Sequence, residues 1–320
     1  MKKILQLLSG HPSYDQIRII QPFLKVRDML KVENIAVQCT PMQQATTELL
    51  QQFDITCVHG CCNLAIYPTL KQVKFSIWVD DLMTNLPECN PAKPTEEEVR
   101  GLKWCHETAN SVVCTTPYLQ NTFKRDKVLV APNLIDIKRA ESKSPNVLYS
   151  FGNSHNGDLE LLGDMQTKRN MYFFGHSLPN KFCNYQKDKT GQIELFPNQE
   201  NILYVPLQRD YEKYQVWMKN LEFGVGLCPL EDNEFNCAKS VLKVGEYLQH
   251  GAVSVVSDVG SYKGIPDECV VKVKENDWDA AVEYAFAHHR TIYNAAYDWW
   301  MGNFSYQKQI KRWVEVYRNL

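Results

Sequence analysis

The sequence predicts an α/β protein of two doubly wound, Rossmann-like domains that face each other across a cleft. Apolar segments of buried-strand length alternate with segments of helical periodicity, which is typical of parallel sheets covered by helices on both faces. The alternation stops at the polar segment DIKRAESKSPN, residues 136–146, and then starts again. A chain of 320 residues is also long enough for two domains of ordinary size. Ligands are expected beyond the carboxyl ends of the strands.

The first domain is predicted over residues 1–140. Its strands are expected in the apolar segments KKILQLL, NIAVQC, ITCVHG, KFSIWV, SVVCTT and KVLVAP. Helices are expected between most of them. After the first strand, for example, Ile17, Ile20, Leu24 and Met29 fall on one face of a helix.

The second domain is predicted over residues 147–298. Its strands are expected in VLYSFG, MYFFG, IELF, ILYVPL, FGVGLCPL, AVSVVSD and CVVKV. Helices are expected near residues 157–169 and 209–220 and between later strands. The closing segment, residues 299–320, is helical and rich in Trp and Tyr, whose large rings favour core and interdomain packing.

Charge and composition exclude several classes of protein. A net charge of −2 gives no basic signal for nucleic acid or a membrane surface, and no run approaches the roughly 18 apolar residues of a membrane span. The apolar part of MKKILQLL is too short for a signal peptide. The 11 cysteines are odd in number and irregularly spaced, which favours reduced thiols in a cytoplasm.

A zinc site at CVHGCC, residues 57–62, would need a second Cys or His pair, and none follows. Small buried thiols are therefore the favoured interpretation of these cysteines.

Two lysines and a glutamate gather in the segment PLEDNEFNCAKSVLKVGEYLQHGAVSVVSDVG, residues 229–260. Lys239 and Lys243 lie one turn apart at a predicted helix start, and Glu246 follows three residues later. Two ammonium groups would suit a diphosphate there, and the carboxylate would suit the hydroxyls of a ribose. The alternative is a solvated helix face with a weak Lys–Glu pair, and the residues alone leave both interpretations open.

A second candidate phosphate site lies in VLYSFGNSHNGDLELL, residues 147–162. A strand that ends at Gly152 and runs through Asn153 and Ser154 into a helix near Asp158 would present backbone N–H groups to an anion. No G-x-G-x-x-G sequence or P-loop lysine accompanies it. An ordinary capped turn between strand and helix is the alternative.

The segment GLCPLEDNEFNCAKSVLKVGEYLQHGAVSVVSDVGSYKGI resembles the donor-site segment of family 4 type glycosyltransferases, which have the two-domain GT-B architecture. The shared features are a strand ending in Pro-Leu, an acidic loop, a Lys-Ser-x-x-Lys-x-x-Glu-Tyr helix, a Gly turn and a strand ending in Ser-Asp. They lie at Pro229, Leu230, Asp232, Asn233, Lys239, Ser240, Lys243, Glu246, Tyr247, Gly251, Ser257 and Asp258. The resemblance implies that the lysine region faces the donor diphosphate and that Glu246 holds the ribose.

Three further segments extend the resemblance to about residues 75–265. FGNSHNGDLELL is similar to the opening of the family's C-terminal domain, WVDDLMTNLPECNP to a turn in its N-terminal domain, and SVVCTTPYLQNTF with VLVAPNLID to later segments of that domain. The residues implied for the diphosphate are Gly152, Asn153, His155, Lys239, Ser240 and Lys243, and those for the ribose and base are Glu246, Val205 and Pro206. The resemblance also implies that the last helix crosses back to the N-terminal domain and that transfer retains the anomeric configuration.

The chain departs from the family at one catalytic carboxylate. Many relatives carry a Glu-x7-Glu pair across this helix, but the position eight before Glu246 is Ala238. The role of the first carboxylate would then be absent or fall to Glu231, Asp232 or Glu234.

Candidates for acceptor binding and catalysis follow several strands. In the loop SGHPSYDQIR, His11 could equally be a turn residue and Asp15 a helix cap. The acceptor-side candidates are Tyr14, Arg18, His59 and Asp80, and the catalytic candidates are His11, Asp15, Asp81, Glu231 and Asp232.

No metal ion is expected. Asp80 and Asp81 are neighbours, so on a strand they point to opposite faces, and the Asp-x-Asp that GT-A sugar transferases use for a divalent cation is missing from any suitable loop. Lysines and helix dipoles can neutralise a leaving diphosphate instead. No cofactor is predicted beyond a nucleotide-diphosphate sugar as the donor substrate.

The sequence therefore predicts a glycosyltransferase that moves a sugar from a nucleotide-diphosphate sugar to an acceptor hydroxyl, as a monomer or weak dimer. One alternative is that the acceptor is a hydroxymethylated base in DNA, as in bacteriophage sugar transferases, which the slightly basic first half of the chain would suit. A second alternative is a GT-B pseudoenzyme that binds nucleotide as an interaction module.

Overall fold

The first part of the chain folds into a six-stranded parallel sheet. A computed structural model describes residues 1–9, 15–60, 64–87, 90, 93–163, 165–166, 168–175, 182–187, 193–197, 199–206 and 210–320, with the backbone alone at 16, 17, 64, 153, 156, 183–187, 193–196 and 211. The strands are β1 (Lys2–Leu8), β2 (Ile35–Pro41), β3 (Ile55–His59), β4 (Phe75–Val79), β5 (Ser111–Cys114) and β6 (Val128–Val130). Their order is β2-β1-β3-β4-β5-β6. Every residue of β3, β4 and β5 is buried, as in strands covered on both faces.

A second parallel sheet of six strands follows. The strands of this part of the chain are β7 (Val147–Ser150), β8 (Met171–Gly175), β9 (Cys183–Lys187), β10 (Ile193–Pro197), β11 (Ile202–Pro206), β12 (Val225–Cys228), β13 (Val253–Val256) and β14 (Val271–Lys272). The sheet has the order β11-β8-β7-β12-β13-β14, while β9 and β10 pair with each other in antiparallel fashion. Two doubly wound sheets confirm the predicted fold class.

The helices lie between these strands and after them. They are α1 (Gln21–Val32), α2 (Thr47–Leu50), α3 (Tyr67–Leu70), α4 (Glu96–Thr108), α5 (Pro117–Thr122), α6 (Asn156–Glu160), α7 (Tyr211–Asn220), α8 (Glu234–Cys237), α9 (Leu242–Leu248), α10 (Trp278–Ala287), α11 (His289–Phe304) and α12 (Tyr306–Asn319).

The first helix buries a different face from the predicted one. Gln16–Ile20 form a π-helical turn before α1, and the side chains of α1 that pack inward include Val26 and Leu30. Leu24 and Met29 are 47% and 42% exposed. A π-helical turn contains more residues than an α-helical turn. Residues that the α-helical spacing from Ile17 places on one face therefore do not share one face here.

Three other elements differ from the sequence prediction. The helix expected near residues 157–169 is only the five-residue α6. The segment IELF belongs to the antiparallel pair β9–β10 and not to the parallel sheet. The closing segment, residues 299–320, is helical as predicted but is divided at Ser305 into the end of α11 and α12.

The last helix packs against the first sheet. Trp313 and Tyr317 of α12 are buried in one apolar cluster with Ile4 and other core residues of that sheet. The Trp313 indole donates to the carbonyl of Pro132 at 2.9 Å, and the Gln6 amide donates to the Tyr317 hydroxyl at 3.0 Å.

The carboxyl ends of the two sheets face each other. The Asn90 amide donates to the carbonyl of Ser154 at 2.9 Å, and the Thr116 hydroxyl donates to the carbonyl of Ala238 at 3.2 Å, so loops of the first sheet contact loops of the second. In the second sheet the chain runs from β7 to β8 on one side and returns later to β12 on the other. The loops after β7 and β12 therefore diverge and leave a crevice, where ligands of such sheets bind.

Candidate active site

A cavity of about 360 Å³ lies between the facing ends of the two sheets. The first sheet supplies its lining from the π-helical turn before α1, the loop after β4 and the segment after β6. The second sheet supplies the loops after β7 and β12 and the start of α9. The side chains with charged or polar ends are Arg18, Asp80, Asp81, Asn133, Tyr149, Ser150, His155, Tyr214, Lys239, Ser240, Lys243, Glu246 and Tyr262.

Lys243 and Glu246 form a close ion pair on α9. The Lys243 Nζ lies 2.7 Å from Glu246 Oε2, and the Tyr214 hydroxyl lies 3.5 Å from the same oxygen. Burial acts to lower the pKa of Lys243, but the Glu246 carboxylate and neighbouring tyrosines outweigh it and raise that pKa well above its usual range. Glu246 is only 8% exposed, so a solvated helix face is the wrong interpretation of this pair.

Lys239 reaches from the second sheet to the first. It precedes α9, which begins at Leu242, and therefore does not lie on the helix as predicted. Its Nζ lies 3.5 Å from Asp81 Oδ1 and 4.3 Å from the centre of the Phe235 ring. The residue is 9% exposed, so its charge acts within the cleft.

Ser240 and Asn133 make a second link across the cleft. The Asn133 amide donates to the Ser240 hydroxyl oxygen at 2.9 Å. Asn133 also accepts a hydrogen bond from the Arg18 guanidinium at 3.1 Å, and Arg18 pairs with Asp80 at 2.7 Å. These contacts hold the Arg18 guanidinium in place, and Arg18 supports the wall of the cavity.

His155 follows the end of β7 and is held by a buried carboxylate. Its Nδ1 lies 2.7 Å from Asp158 Oδ2. The other oxygen of Asp158 accepts from the backbone N–H of Glu231 and from the Asn236 amide, both at 2.7 Å. Burial and the charge of Lys239 lower the pKa of His155 against the opposing effect of Asp158.

Gly152 presents open backbone to the cavity. A Cβ at this position would meet no atom within 4 Å, so the approach of a ligand to the backbone is unobstructed there. The Asn153 side chain lies outside the described residues. Because α6 has only five residues, the phosphate site predicted from a helix N-terminus at this point has little helix dipole to support it.

The catalytic candidates are divided among several places. Asp81 lines the cavity. Asp15 is buried and accepts hydrogen bonds from the backbone N–H and the hydroxyl of Ser9, both at 2.8 Å. Glu231 lies outside the cavity lining beside Gly157, and Asp232 is exposed. His11 lies outside the described residues.

The position of Ala238 accounts for the missing carboxylate. Ala238 is fully buried in the apolar cluster of the first sheet, where an ionised side chain would lose its hydration. Burial and the charge of Asp158 raise the pKa of Glu231. Neither Glu231 nor Asp232 lines the cavity.

Two acceptor-side candidates are not among the residues that line the cavity in the described part of the chain. His59 is 1% exposed, lies 2.6 Å from the Gln6 amide oxygen through Nε2 and packs on Trp78. Burial and the nearby Arg18 charge lower the pKa of His59 well below its usual range, so the ring acts as a neutral core residue. Tyr14 lies outside the described residues.

The predicted base site falls beside the cavity. Val205 is buried at 9% exposure and Pro206 is exposed, and neither lines the cavity. Tyr214, Asn133 and Asp158 take part in the site and were missed as site residues. Asn133 stood in a segment that resembled the family, and Asp158 stood in the sequence NSHNGD, but Tyr214 had no signal in its neighbourhood.

Asp80 and Asp81 have separate partners. Asp80 pairs with Arg18, whereas Asp81 faces Lys239. Among the described residues, no group of three or more His, Cys, Asp or Glu side chains could hold a metal ion.

In the same part of the chain, no helix is long and apolar enough to cross a membrane.

A second cavity of about 430 Å³ adjoins the first at Asn133, Ser240 and Leu242. Its walls include Trp299, Trp300 and other apolar side chains. Anionic and cationic groups converge on the first cavity, so we assign the candidate site there.

Solved structures with a similar fold include a glycosyltransferase and an alpha-glucosyltransferase. The Anabaena protein HepE in complex with UDP and glucose has a TM-score of 0.66 at 11% identity, with 100% of both chains covered. An alpha-glucosyltransferase in complex with UDP has a TM-score of 0.62 at 10% identity over 99% of this chain and 100% of that one. A glycosyltransferase from Rickettsia africae has a TM-score of 0.56 at 13% identity over 99% and 98%.

These similarities establish the fold, which is the two-sheet GT-B fold predicted from the sequence. No protein-family model and no curated protein sequence matches the chain.

Proposed function

We propose that the protein is a glycosyltransferase that moves a sugar from a nucleotide-diphosphate sugar to an acceptor hydroxyl. The observation that carries the proposal is the cavity at the facing strand ends, where Lys239, Lys243 and His155 surround the same space as Glu246. HepE and the alpha-glucosyltransferase, which share the fold, are complexes with UDP or UDP-glucose. An interdomain cleft with converging cations suits a ligand of this chemistry.

In this proposal the second sheet holds the donor. The diphosphate would lie at Gly152, Asn153 and the side chains of His155, Lys239, Ser240 and Lys243. Glu246, supported by Tyr214, would accept hydrogen bonds from the ribose hydroxyls. The base would extend toward Val205 and Pro206.

The chemistry would depend on stabilising the leaving group. The bond between the anomeric carbon and the diphosphate oxygen breaks, and negative charge grows on that oxygen while the acceptor oxygen bonds to the same carbon. Ammonium groups fixed in a poorly hydrated cleft are effective at that point, so no metal or other cofactor is included. Asp81, which lines the cavity from the first sheet, is the proposed acceptor of the hydroxyl proton.

We further propose that transfer retains the anomeric configuration, as the family resemblance implies, so the acceptor oxygen would bond to the anomeric carbon on the face that the diphosphate leaves. The coupling constant of the anomeric proton of the product, measured by NMR, distinguishes retention from inversion. An inverted product would overturn this part of the proposal.

Lys239→Ala tests the diphosphate assignment. Loss of one preorganised cationic group at the developing charge should lower the rate of transfer by about 100- to 1,000-fold, with the circular dichroism spectrum unchanged. The donor is first chosen by a thermal-shift screen of nucleotide sugars, and acceptors, including hydroxymethylated DNA, are screened by mass spectrometry. Exposed Lys219 on α7 provides the control Lys219→Ala, and full activity of Lys239→Ala would contradict the assignment.

Two alternatives have distinct signatures. One solved structure of similar fold is an alpha-glucosyltransferase in complex with UDP-glucose and DNA containing an abasic site; a DNA acceptor here would give binding that weakens steeply with added salt. A pseudoenzyme would bind a nucleotide sugar but give neither transfer nor donor hydrolysis.

We also propose a reducing, cytoplasmic location and a monomeric or weakly dimeric state. The seven cysteines whose side chains are described are free thiols, and burial raises the pKa of Cys57 and Cys228 to about 12, which makes them poor nucleophiles. Sedimentation at several concentrations would test the oligomeric state, and a stable tetramer would contradict it.

A further inference from the structure

We propose that His155 takes up a proton when the donor diphosphate binds, and that Asp158 imposes this requirement by fixing which nitrogen of the ring carries hydrogen. The inference rests on the proposed function and assigns a positioning role to Asp158. It concerns how the site recognises charge and adds no step to the transfer itself.

The first step is the tautomer of His155. Asp158 is 1% exposed, and its Oδ2 lies 2.7 Å from His155 Nδ1. A carboxylate oxygen only accepts hydrogen bonds, so Nδ1 carries the hydrogen that faces it. Of the two ring nitrogens, Nε2 is the one left for a ligand in the cavity that His155 lines. In the neutral ring Nε2 is then a bare acceptor.

The second step is the mismatch with a phosphate. A phosphate oxygen is also an acceptor, so a neutral ring in this tautomer would place two lone pairs against each other. Only the cationic ring offers an Nε2–H to the diphosphate while Nδ1–H stays on Asp158. The diphosphate-bound site therefore requires a proton on His155 Nε2, which the empty site does not require.

The third step is the charge around the ring. Lys239 before α9 and Lys243 within it oppose the cationic ring, and Asp158 on α6 favours it. The carboxylate of Glu231, in the loop after β12, lies against Gly157 beside Asp158. Burial together with Lys239 keeps the pKa of His155 below its usual value in the empty site. A bound diphosphate adds negative charge next to both lysines and reverses that balance.

The anchoring of Asp158 allows a selective variant. The backbone N–H of Glu231 and the side-chain amide of Asn236 both donate to Asp158 Oδ1. His155 contacts the other oxygen, Asp158 Oδ2. In Asp158→Asn the amide oxygen can keep the first two bonds and the NH₂ group can face His155. The ring would then accept at Nδ1 and carry its hydrogen on Nε2, so the neutral ring could donate to a phosphate without any added proton.

The experiment is calorimetric titration with UDP-glucose at pH 7.5 in buffers of different ionisation enthalpy. A sugar diphosphate has no free terminal phosphate and so lacks the ionisation near pH 6 of a phosphomonoester, and the buffer dependence reports protons bound by the protein. We expect uptake that approaches one proton in the wild type and an affinity that weakens by up to about tenfold per pH unit above neutrality.

The variants separate this inference from a merely structural role. Asp158→Asn and His155→Gln should bind with almost no proton uptake and a flat pH profile, because each offers an N–H at every pH. His288→Gln, at an exposed histidine outside the cavity, should behave as wild type. If Asp158→Asn does not fold, His155→Gln carries the test.

The outcomes are distinct. UDP-glucose binding without proton uptake in the wild type would overturn this inference alone, as would wild-type uptake in either His155→Gln or folded Asp158→Asn. If UDP-glucose gives no heat, the nucleotide sugar selected by the thermal-shift screen is titrated instead. A screen in which no nucleotide sugar binds would overturn the proposed function together with the inference.

Discussion

Glu246 carries its charge in a nearly closed part of the cleft. The residue is 8% exposed, and its carboxylate is contacted by the Lys243 ammonium group at 2.7 Å and the Tyr214 hydroxyl at 3.5 Å. A buried charge that loses its partner is costly, so the pair is expected to persist when the cavity is empty. A nucleotide would then meet a carboxylate that is already oriented.

The residue scale also shows what sequence can reveal of this site. The spacing of Lys243 and Glu246 placed both side chains on one face of a helix, because neighbours on a helix face are set by local geometry, and the structure shows them in contact. Tyr214 and Asn133 reach the site through tertiary contacts, so no local pattern identified them. His59 failed as a site candidate for the converse reason: the end of β3 is buried, and its ring turns toward Gln6 and Trp78.

Glu246→Gln tests the role of the carboxylate in nucleotide binding. Hydrogen bonds to a charged group contribute about 1.5–3 kcal/mol, so the affinity for the nucleotide selected by the thermal-shift screen should fall by roughly 10- to 150-fold. Calorimetric titration measures the change, with the exposed Glu212→Gln on α7 as the matched control. An unchanged dissociation constant would remove Glu246 from the ribose site.

At the scale of elements, α9 places Lys243 and Glu246 at the cavity although it has only seven residues. The helix lies against β12, β13 and α11, and its close approach to α11 occurs where Gly245 faces the ring of Trp300. A Cβ on Gly245 would lie 2.3 Å from that ring. Gly245 is therefore what allows α9 to sit deep enough for Lys243 and Glu246 to reach the cavity.

Secondary-structure elements were predicted well where the sequence shows a clear apolar segment of strand length. β12 and β13 are short, wholly buried and largely apolar, and such segments between helices identify parallel strands. Of the antiparallel pair β9–β10, the sequence prediction missed β9. Its sequence CNYQK has a polar residue between Cys and Tyr and contains no continuous apolar run. Lys239 was placed on α9 although the helix begins at Leu242, since helix starts depend on backbone geometry that spacing alone does not define.

Gly245→Ala tests this packing. A methyl group in contact with a rigid, 2% exposed indole should overpack the core and lower the free energy of unfolding by about 1–3 kcal/mol. Gly302→Ala on α11 is the matched control, because a Cβ there meets no atom within 4 Å and alanine should stabilise the helix by up to about 1 kcal/mol. Urea unfolding of both variants measures the difference, and equal stability of the two would contradict the packing argument.

At the scale of the whole molecule, polar contacts cross the cleft from several loops. Besides the bonds of Asn90 and Thr116, Lys239 faces Asp81 at 3.5 Å, and Asn133 donates to Ser240 at 2.9 Å. The diphosphate would compete with Asp81 for Lys239. On the proposed function, donor binding would therefore be connected to the relation of the two sheets through the same lysine.

The terminal helix contributes to the first sheet as core and not as a surface attachment. Trp313 is fully buried, its ring is tilted against that of Trp78 with ring centres 5.3 Å apart, and the guanidinium of Arg18 lies 5.4 Å from the centre of the Trp313 ring. Its indole also donates to Pro132, next to the cavity residue Asn133. Removing this ring should affect both the core and the support of the cleft.

Trp313→Ala tests that connection. Loss of a buried Trp ring costs about 3–5 kcal/mol because the cavity it leaves collapses only in part, and here the lost ring also leaves the Pro132 carbonyl and one face of Arg18 without their contacts. Urea unfolding followed by circular dichroism measures the loss, and Trp217→Ala, at a ring 42% exposed on α7, should cost clearly less. If the two substitutions were equally mild, α12 would be an independent appendage; a large cost for Trp313 alone places the end of the chain in the core that positions Arg18 and the cavity wall.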